Sequence, residues 1–259
     1  MKAAAFIATL ALAAPQFAGG QVASRVATID QGTVRLEYET REDVEICDQG
    51  IRMGDHHMWW RNRDGDETAS NCRFGSAEIE LEVRRGRVTD VDIIRSVRDR
   101  DPDAVDLGSI TGREAADYLL GLAYEGATSD GAEEAIFPAM LADAGEVWRD
   151  LIPIAQDRDV AQDVRKQSLF WLGQEAAEAA TEGLADVALD EKEDQDIRES
   201  AIFALSQRPR EEGVPVLMEL ARTGGEAETR RTAMFWLAQS EDERVVDFFQ
   251  EILLGRGRR

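Results

Sequence analysis

Histidine and cysteine are scarce here, two of each in 259 residues. They lie close together, His56 and His57 being adjacent and bracketed by Cys47 and Cys72. Neighbours on a helix or strand point in different directions, so the two imidazoles do not readily serve one site. Asp55 is the only obvious further ligand nearby. No G-x-S-x-G, H-E-x-x-H, Walker or dinucleotide-binding motif occurs. Nothing in the sequence therefore calls for a catalytic group, a cofactor or a metal, and none is expected. Asp99, Asp101 and Asp103 are spaced like the first ligands of a calcium loop, but position six is Ala104 and position twelve Ile110. A solvated segment explains them better.

Basic residues are also in deficit, 30 against 52 acidic, for a formal charge of −22. Phosphate backbones and anionic membrane surfaces are repelled by such a chain, so nucleic acid is not expected as a partner. The acids either keep the chain soluble or form a surface that recruits a basic partner. Only Arg256–Arg259 is locally basic, and reads as a tail.

Long apolar runs are missing beyond one at the start. Ala3–Ala14 follows Lys2, and Pro15 breaks the run before Ala18-Gly19-Gly20. That is the pattern of a secretory signal over residues 1–20, cleaved near Gly20 and leading to the periplasm or the exterior. Twelve apolar residues are too few to span a bilayer. No Cys follows the run, which argues against a lipid anchor. In an oxidising compartment Cys47 and Cys72 are expected to form a disulfide, stabilising a small region by about 3 kcal/mol.

What the chain has in abundance is internal repetition. Glu133–Leu141, Lys166–Gln174, Glu199–Gln207 and Arg231–Gln239 align on Phe137, Phe170, Phe203 and Phe235, spaced 33, 33 and 32 apart. A second triplet follows each Phe: Leu151/Ile154/Ala155, Leu184/Val187/Ala188, Leu217/Leu220/Ala221 and Phe249/Ile252/Leu253. Spacings of three and four put these residues on one helical face, so each unit is a helical pair. No pair can bury its apolar face alone. Stacking solves that, giving an α-solenoid over residues 112–255, an architecture that mostly binds other macromolecules rather than catalysing reactions.

The ankyrin signature is absent, and Trp171-Leu172-Gly173 does not match the tetratricopeptide pattern. What recurs is an acid-x-Arg opening: Asp163-Val164-Arg165, Asp196-Ile197-Arg198 and Glu228-Thr229-Arg230. With the small residues and the leucines Leu172, Leu205 and Leu237 that follow, this resembles the short HEAT repeat. The whole layout is similar to exported bacterial HEAT-repeat domain-containing proteins. The resemblance implies that Arg165, Arg198 and Arg230 belong to a structural ladder of arginines and acids between repeats. It also implies a non-enzymatic scaffold that binds a protein partner.

The sequence departs from that family at its phenylalanines, where short HEAT repeats usually carry a polar residue. On a helical wheel Phe170 falls about 200° from the centre of the arc holding Val164, Ser168, Trp171 and Leu172. Phe203 and Phe235 sit likewise. Two readings stand: neighbouring repeats cover the phenylalanines, or the four form a binding stripe for a partner or a second copy. Trp171 and Trp236 read as packing residues.

Ahead of the solenoid, Val34, Leu36 and Tyr38 alternate with polar residues, and so do Ile79, Leu81 and Val83, with a turn at Arg85-Gly86. The expected fold is α+β. A small antiparallel β region with one disulfide (residues 21–98) precedes a linker (99–111) and a right-handed stack of four to five helical pairs. The sheet's apolar face is expected against the first solenoid helix. The alternative to a scaffold is an enzyme or metal-binding module with its site around Cys47, His56, His57 and Cys72.

Overall fold

The computed structural model describes residues 20–54, 71–126, 129–175 and 177–254. The expected leader lies outside these residues except for Gly20, as do His56, His57 and the basic tail. The first described element is a short helix, α1 (Gly20–Val26), whose Val22 and Val26 are buried. It packs against α2 (Gly112–Gly121), and Arg25 donates to the Leu107 carbonyl at 2.8 Å.

Alternation builds the main sheet. Strands β1 (Gln31–Glu39) and β5 (Ser76–Arg84) pair antiparallel with Val34 opposite Leu81 and Leu36 opposite Ile79, so their apolar sets share one buried face. Strand β6 (Arg87–Ile93) pairs with β5 through the expected hairpin. Both turn residues, Arg85 and Gly86, have positive φ (55° and 70°), the requirement of a two-residue hairpin turn. The order is β6-β5-β1-β7, with β7 (Val105–Ile110) at the edge beside β1. A second, three-stranded sheet, β3-β2-β4, is formed by β2 (Val44–Cys47), β3 (Gly50–Met53) and β4 (Cys72–Phe74). Cys47 lies opposite Cys72 in the β2–β4 ladder, and the two form the disulfide.

The expected linker is largely structured, which corrects its reading as an irregular spacer. Residues Val105–Ile110 form β7, a strand running parallel to β1 at the edge of the sheet. An edge strand covered on one side needs few apolar residues, and of Val105–Ile110 only Leu107 is buried. Its alternation is therefore faint in the sequence. The preceding residues make a 3₁₀ turn closed by a capping box between Ser96 and Asp99. Asp101 accepts from the Asp103 amide, so two of the three aspartates spaced like calcium ligands cap their own backbone.

The outer face of the sheet is charged but covered. Glu78 and Glu80 are buried there and meet Arg35, Arg73 and Arg100, while the Asp101 amide donates to Glu80 from the overlying segment. Buried carboxylates are tolerable when cations and amides satisfy them.

The inner face rests on the start of the helical stack. Helices α2 and α3 (Ser129–Glu134) pack on β1 and β6. The Tyr38 hydroxyl donates to the Pro138 carbonyl at 2.8 Å, and burial pushes its pKa far upward. Backbone bonds from Arg41 to Leu141 and from Asp143 to Glu39 stitch β1's end to the stack. Gly112 is obligatory at this seam, because a Cβ there would stand 2.3 Å from the Asp143 carbonyl oxygen.

The stack then proceeds in pairs: α4 (Ile136–Leu141) with α5 (Trp148–Gln156), α6 (Gln162–Gln174) with α7 (Glu178–Leu189), α8 (Gln195–Ser206) with α9 (Arg210–Thr223), and α10 (Ala227–Gln239) with α11 (Glu243–Leu253). In the first unit the leading helix is split into α3 and α4. Pro138 explains the split, since its ring clashes with the carbonyl four residues back, that of Glu134. Leu172, Leu205 and Leu237 are all fully buried, and the core runs continuously from the sheet to α11.

Candidate functional site

Each leading helix of the stack carries its phenylalanine on a different face from its core residues. Phe137, Phe170 and Phe203 are half-buried, whereas Phe235 is 55% exposed. Their surroundings follow the repeat. Phe137 stacks on Trp171 of the next unit, with centroids 5.2 Å apart and planes 6° from parallel. Phe203 leans on Trp236 of the next unit at 5.0 Å and 52°. Within each unit, Phe170 and Phe235 meet Trp171 and Trp236 edge to face. The phenylalanine line is thus tied to the repeat joints by the two tryptophans, of which Trp171 is fully buried.

Phe170 has no such successor, because the position corresponding to Trp171 and Trp236 in the next helix is Ala204. On its other flank Phe170 lines an open groove of about 300 Å³ with Glu133, Asp163, Lys166 and Gln167. Asp163, Lys166, Gln167 and Phe170 recur at helical spacing along α6 and therefore share one face. Glu133 comes from α3 and accepts from Gln167 Nε2 at 2.9 Å, fixing the groove's far wall. The result is an apolar floor with a mixed, mainly acidic rim. Its lining residues include no nucleophile–base pair.

The arginines lie inside the joints. Arg165 meets Glu193 with two hydrogen bonds, at 3.0 and 2.6 Å, and also donates to the Ala155 carbonyl. Arg198 reaches Glu226 at 2.6 Å and the Glu193 carbonyl at 3.0 Å. In both cases the acid stands 28 residues further on, in the loop leading into the next unit's first helix. Arg230 instead donates to the carbonyls of Gly224 and Gly225, and meets no carboxylate among the described residues. The acids of the acid-x-Arg openings, Asp163, Asp196 and Glu228, are not the partners. Glu193 and Glu226 escaped the sequence reading although they are themselves 33 residues apart. Burial works against ionisation of Glu193, but hydrogen bonds from Arg165 and the Asp194 amide, with the nearby cations, hold its carboxyl below the usual range.

Arg208, also unforeseen, is a second clamp. It is buried between α7 and α9, donating to Thr181 Oγ1 and to the Ala177 carbonyl and pairing with Glu212 at 2.6 Å. The Thr181 hydroxyl, followed by Arg208, lowers the Glu212 pKa against the effect of burial. It occurs once, so periodicity offered no signal for it.

In the β region, Glu45, Cys47 and Cys72 bring three potential ligand atoms together. Both sulfurs are committed to the disulfide, so neither is a thiolate donor. His56 and His57 lie outside the described residues.

No curated protein and no solved structure matches this chain. Residues 181–256, in the later part of the helical stack, match the family model for HEAT repeats.

Proposed function

We propose that this chain is a non-enzymatic scaffold of the cell envelope, periplasmic or secreted, that binds a protein partner through the face of its leading helices. HEAT repeats generally mediate protein–protein interaction. The observation that carries the reading is the groove at Phe170, where an aromatic floor is open and rimmed by Glu133, Asp163, Lys166 and Gln167. A rigid helical face offers such a pocket without an ordering cost on binding. The occupant is an apolar side chain of the partner with a cationic neighbour to meet the acids. Export rests on Lys2 and the apolar run Ala3–Ala14, and the Cys47–Cys72 disulfide agrees with an oxidising compartment. No helix among the described residues is long and apolar enough to cross a membrane.

The test is affinity capture from an envelope extract with the wild type, Phe170→Ser and Asp163→Lys, with mass spectrometry of the bound proteins. Asp163 is exposed in the first turn of α6, so its reversal removes no buried contact while changing the charge of the rim. A specific partner should be recovered by the wild type and lost by both variants. Equal recovery by all three removes the groove from the function.

A further inference from the structure

Carboxyl groups from two elements meet where the sheet abuts the helical stack. Asp90 and Asp92 stand two residues apart on β6 and so share one face of the strand, with Glu82 of β5 opposite Asp90 in the ladder. Helix α3 presses on the same strand so closely that a Cβ on Gly131 would stand 2.9 Å from the Thr89 carbonyl carbon. That approach brings Glu134, the last residue of α3, to the edge of β6, where its Oε2 accepts from the Val91 amide at 3.2 Å. The Asp90 carboxyl then meets Glu134 on one side and Asp92 on the other.

Carboxylates accept hydrogen bonds but donate none, so contact between two carboxyls needs a proton. The nearby cations serve other acids. Arg84 pairs with Glu82 at 2.6 Å, Arg35 with Glu80, which lies opposite Asp92, and Arg95 favours the charged form of Asp92. Of the remaining polar groups on the packed elements, Glu133 of α3 takes Gln167, and Tyr124, in the turn after α2, is bonded to Asp157. Burial first, then the charge of Glu134, raises the Asp90 pKa, and burial with the charge of Asp90 raises that of Asp92.

We propose that Asp90 and Glu134 form an acid latch: a proton between them holds α3 on β6, and its loss leaves two like charges that push the helix off the strand. Glu133, the residue before Glu134, forms the far wall of the groove at Phe170 through its bond from Gln167. The latch therefore fixes that wall in acid and loosens it as the pH rises. Its use in regulating binding rests on the groove being the docking site, whereas the latch itself does not. The direction follows from linkage. Because the folded-state pKa of Asp90 is raised, its contribution to stability is complete below the unfolded-state value and is lost as pH rises through the folded-state value.

Nuclear magnetic resonance on the full chain, titrated from about pH 4 to about pH 8, tests it. Three signals are followed: the Asp90 carboxyl carbon, the Val91 backbone amide and the Gln167 side-chain amide. In the wild type Asp90 should titrate above the ordinary carboxylate range, and the other two signals should move with the same midpoint. Above that midpoint the Val91 amide should exchange with solvent about tenfold faster than intrinsic pH dependence alone requires. Asp90→Asn replaces the shared proton with a permanent donor, so both amide signals should keep their acid positions throughout. Glu134→Gln gives Asp90 a donor in place of a charge and should bring its midpoint back down. None of these readouts needs a partner, so an empty capture at the groove leaves them unaffected. An ordinary Asp90 midpoint, amide signals that ignore it, or an Asp90→Asn protein whose amides titrate like the wild type overturns the proposal. Should either variant fail to fold, the wild type still decides, because all three signals must share one midpoint.

Discussion

Arg165 and Glu193 face each other across the joint between two successive helical pairs, joined by hydrogen bonds at 3.0 and 2.6 Å, with both side chains almost wholly buried. A buried pair of this kind adds little over an apolar filling, but half of one is costly, because the remaining charge has no water to turn to. Glu193→Gln should therefore destabilise the protein by about 3–5 kcal/mol, and Arg165→Met by a similar amount. The double change Arg165→Met/Glu193→Leu should recover most of that loss, as read by urea unfolding. Because the folded-state pKa of Glu193 is depressed, its contribution is complete above the unfolded-state value and is lost as pH falls through the folded-state value. Acid should thus weaken the wild type more than Glu193→Gln. Parallel acid profiles would show that the pair does not govern the joint.

The same ladder explains why a whole unit can be removed. Deleting Asp196–Ala227 leaves Glu193 and Arg165 in place and brings Arg230 into the position of Arg198. In a stack, each unit answers mainly to its neighbours. The product should be a shorter helical protein with a cooperative thermal transition by circular dichroism. Within the intact chain, Leu205→Ala or Leu220→Ala, both fully buried, should cost about 2–5 kcal/mol. A deletion product without helical signal would instead mean that the helices form one indivisible core.

The helical pairs were legible because burial recurs with a period. Leu172, Leu205 and Leu237 occupy one position in three units, and all are buried. The hairpin was legible because Ile79, Leu81 and Val83 alternate and Arg85-Gly86 marks the turn. Other parts lack such a signal. Strand β7 keeps only Leu107 buried, so nothing in its pattern sets it apart from an irregular segment. Helix α1 has just two buried residues. Strands β2, β3 and β4 are three or four residues long, too short to show alternation. The partners Glu193 and Glu226 lie in loops between the aligned helices, where a reading by apolar positions does not look. The groove at Phe170 depends on Glu133 from another helix, which only the packing brings alongside.

The Cys47–Cys72 disulfide joins facing residues of β2 and β4. Reduction should remove about 3 kcal/mol from the stability of the β region in the chain-entropy account. The helical signal should persist at temperatures where the oxidised protein is folded. A thiol reagent should label protein made in an oxidising compartment only after reduction. Two thiols labelled before reduction would sink the pairing.

Phe203 and Phe235 bear the same relation to the repeat but not to water. Phe203 is half-buried and leans on Trp236 at 5.0 Å, whereas Phe235 meets the same indole edge to face and is 55% exposed. If covering by the next unit is what makes these residues structural, the two should separate in a melting experiment. Phe203→Ser should cost about 1–3 kcal/mol, less than a full core truncation because its burial is partial. Phe235→Ser should stay within about 0.5 kcal/mol of the wild type, as surface changes do. A double-mutant cycle between Phe203 and Trp236 should return a coupling of about 0.5–1.5 kcal/mol, the usual size for an aromatic pair. Equal losses at both positions would mean that Phe235 is covered as well, and the repeated phenylalanines would then all be joint residues. Losses at neither would make the line a surface feature throughout, with Trp236 packing independently of it.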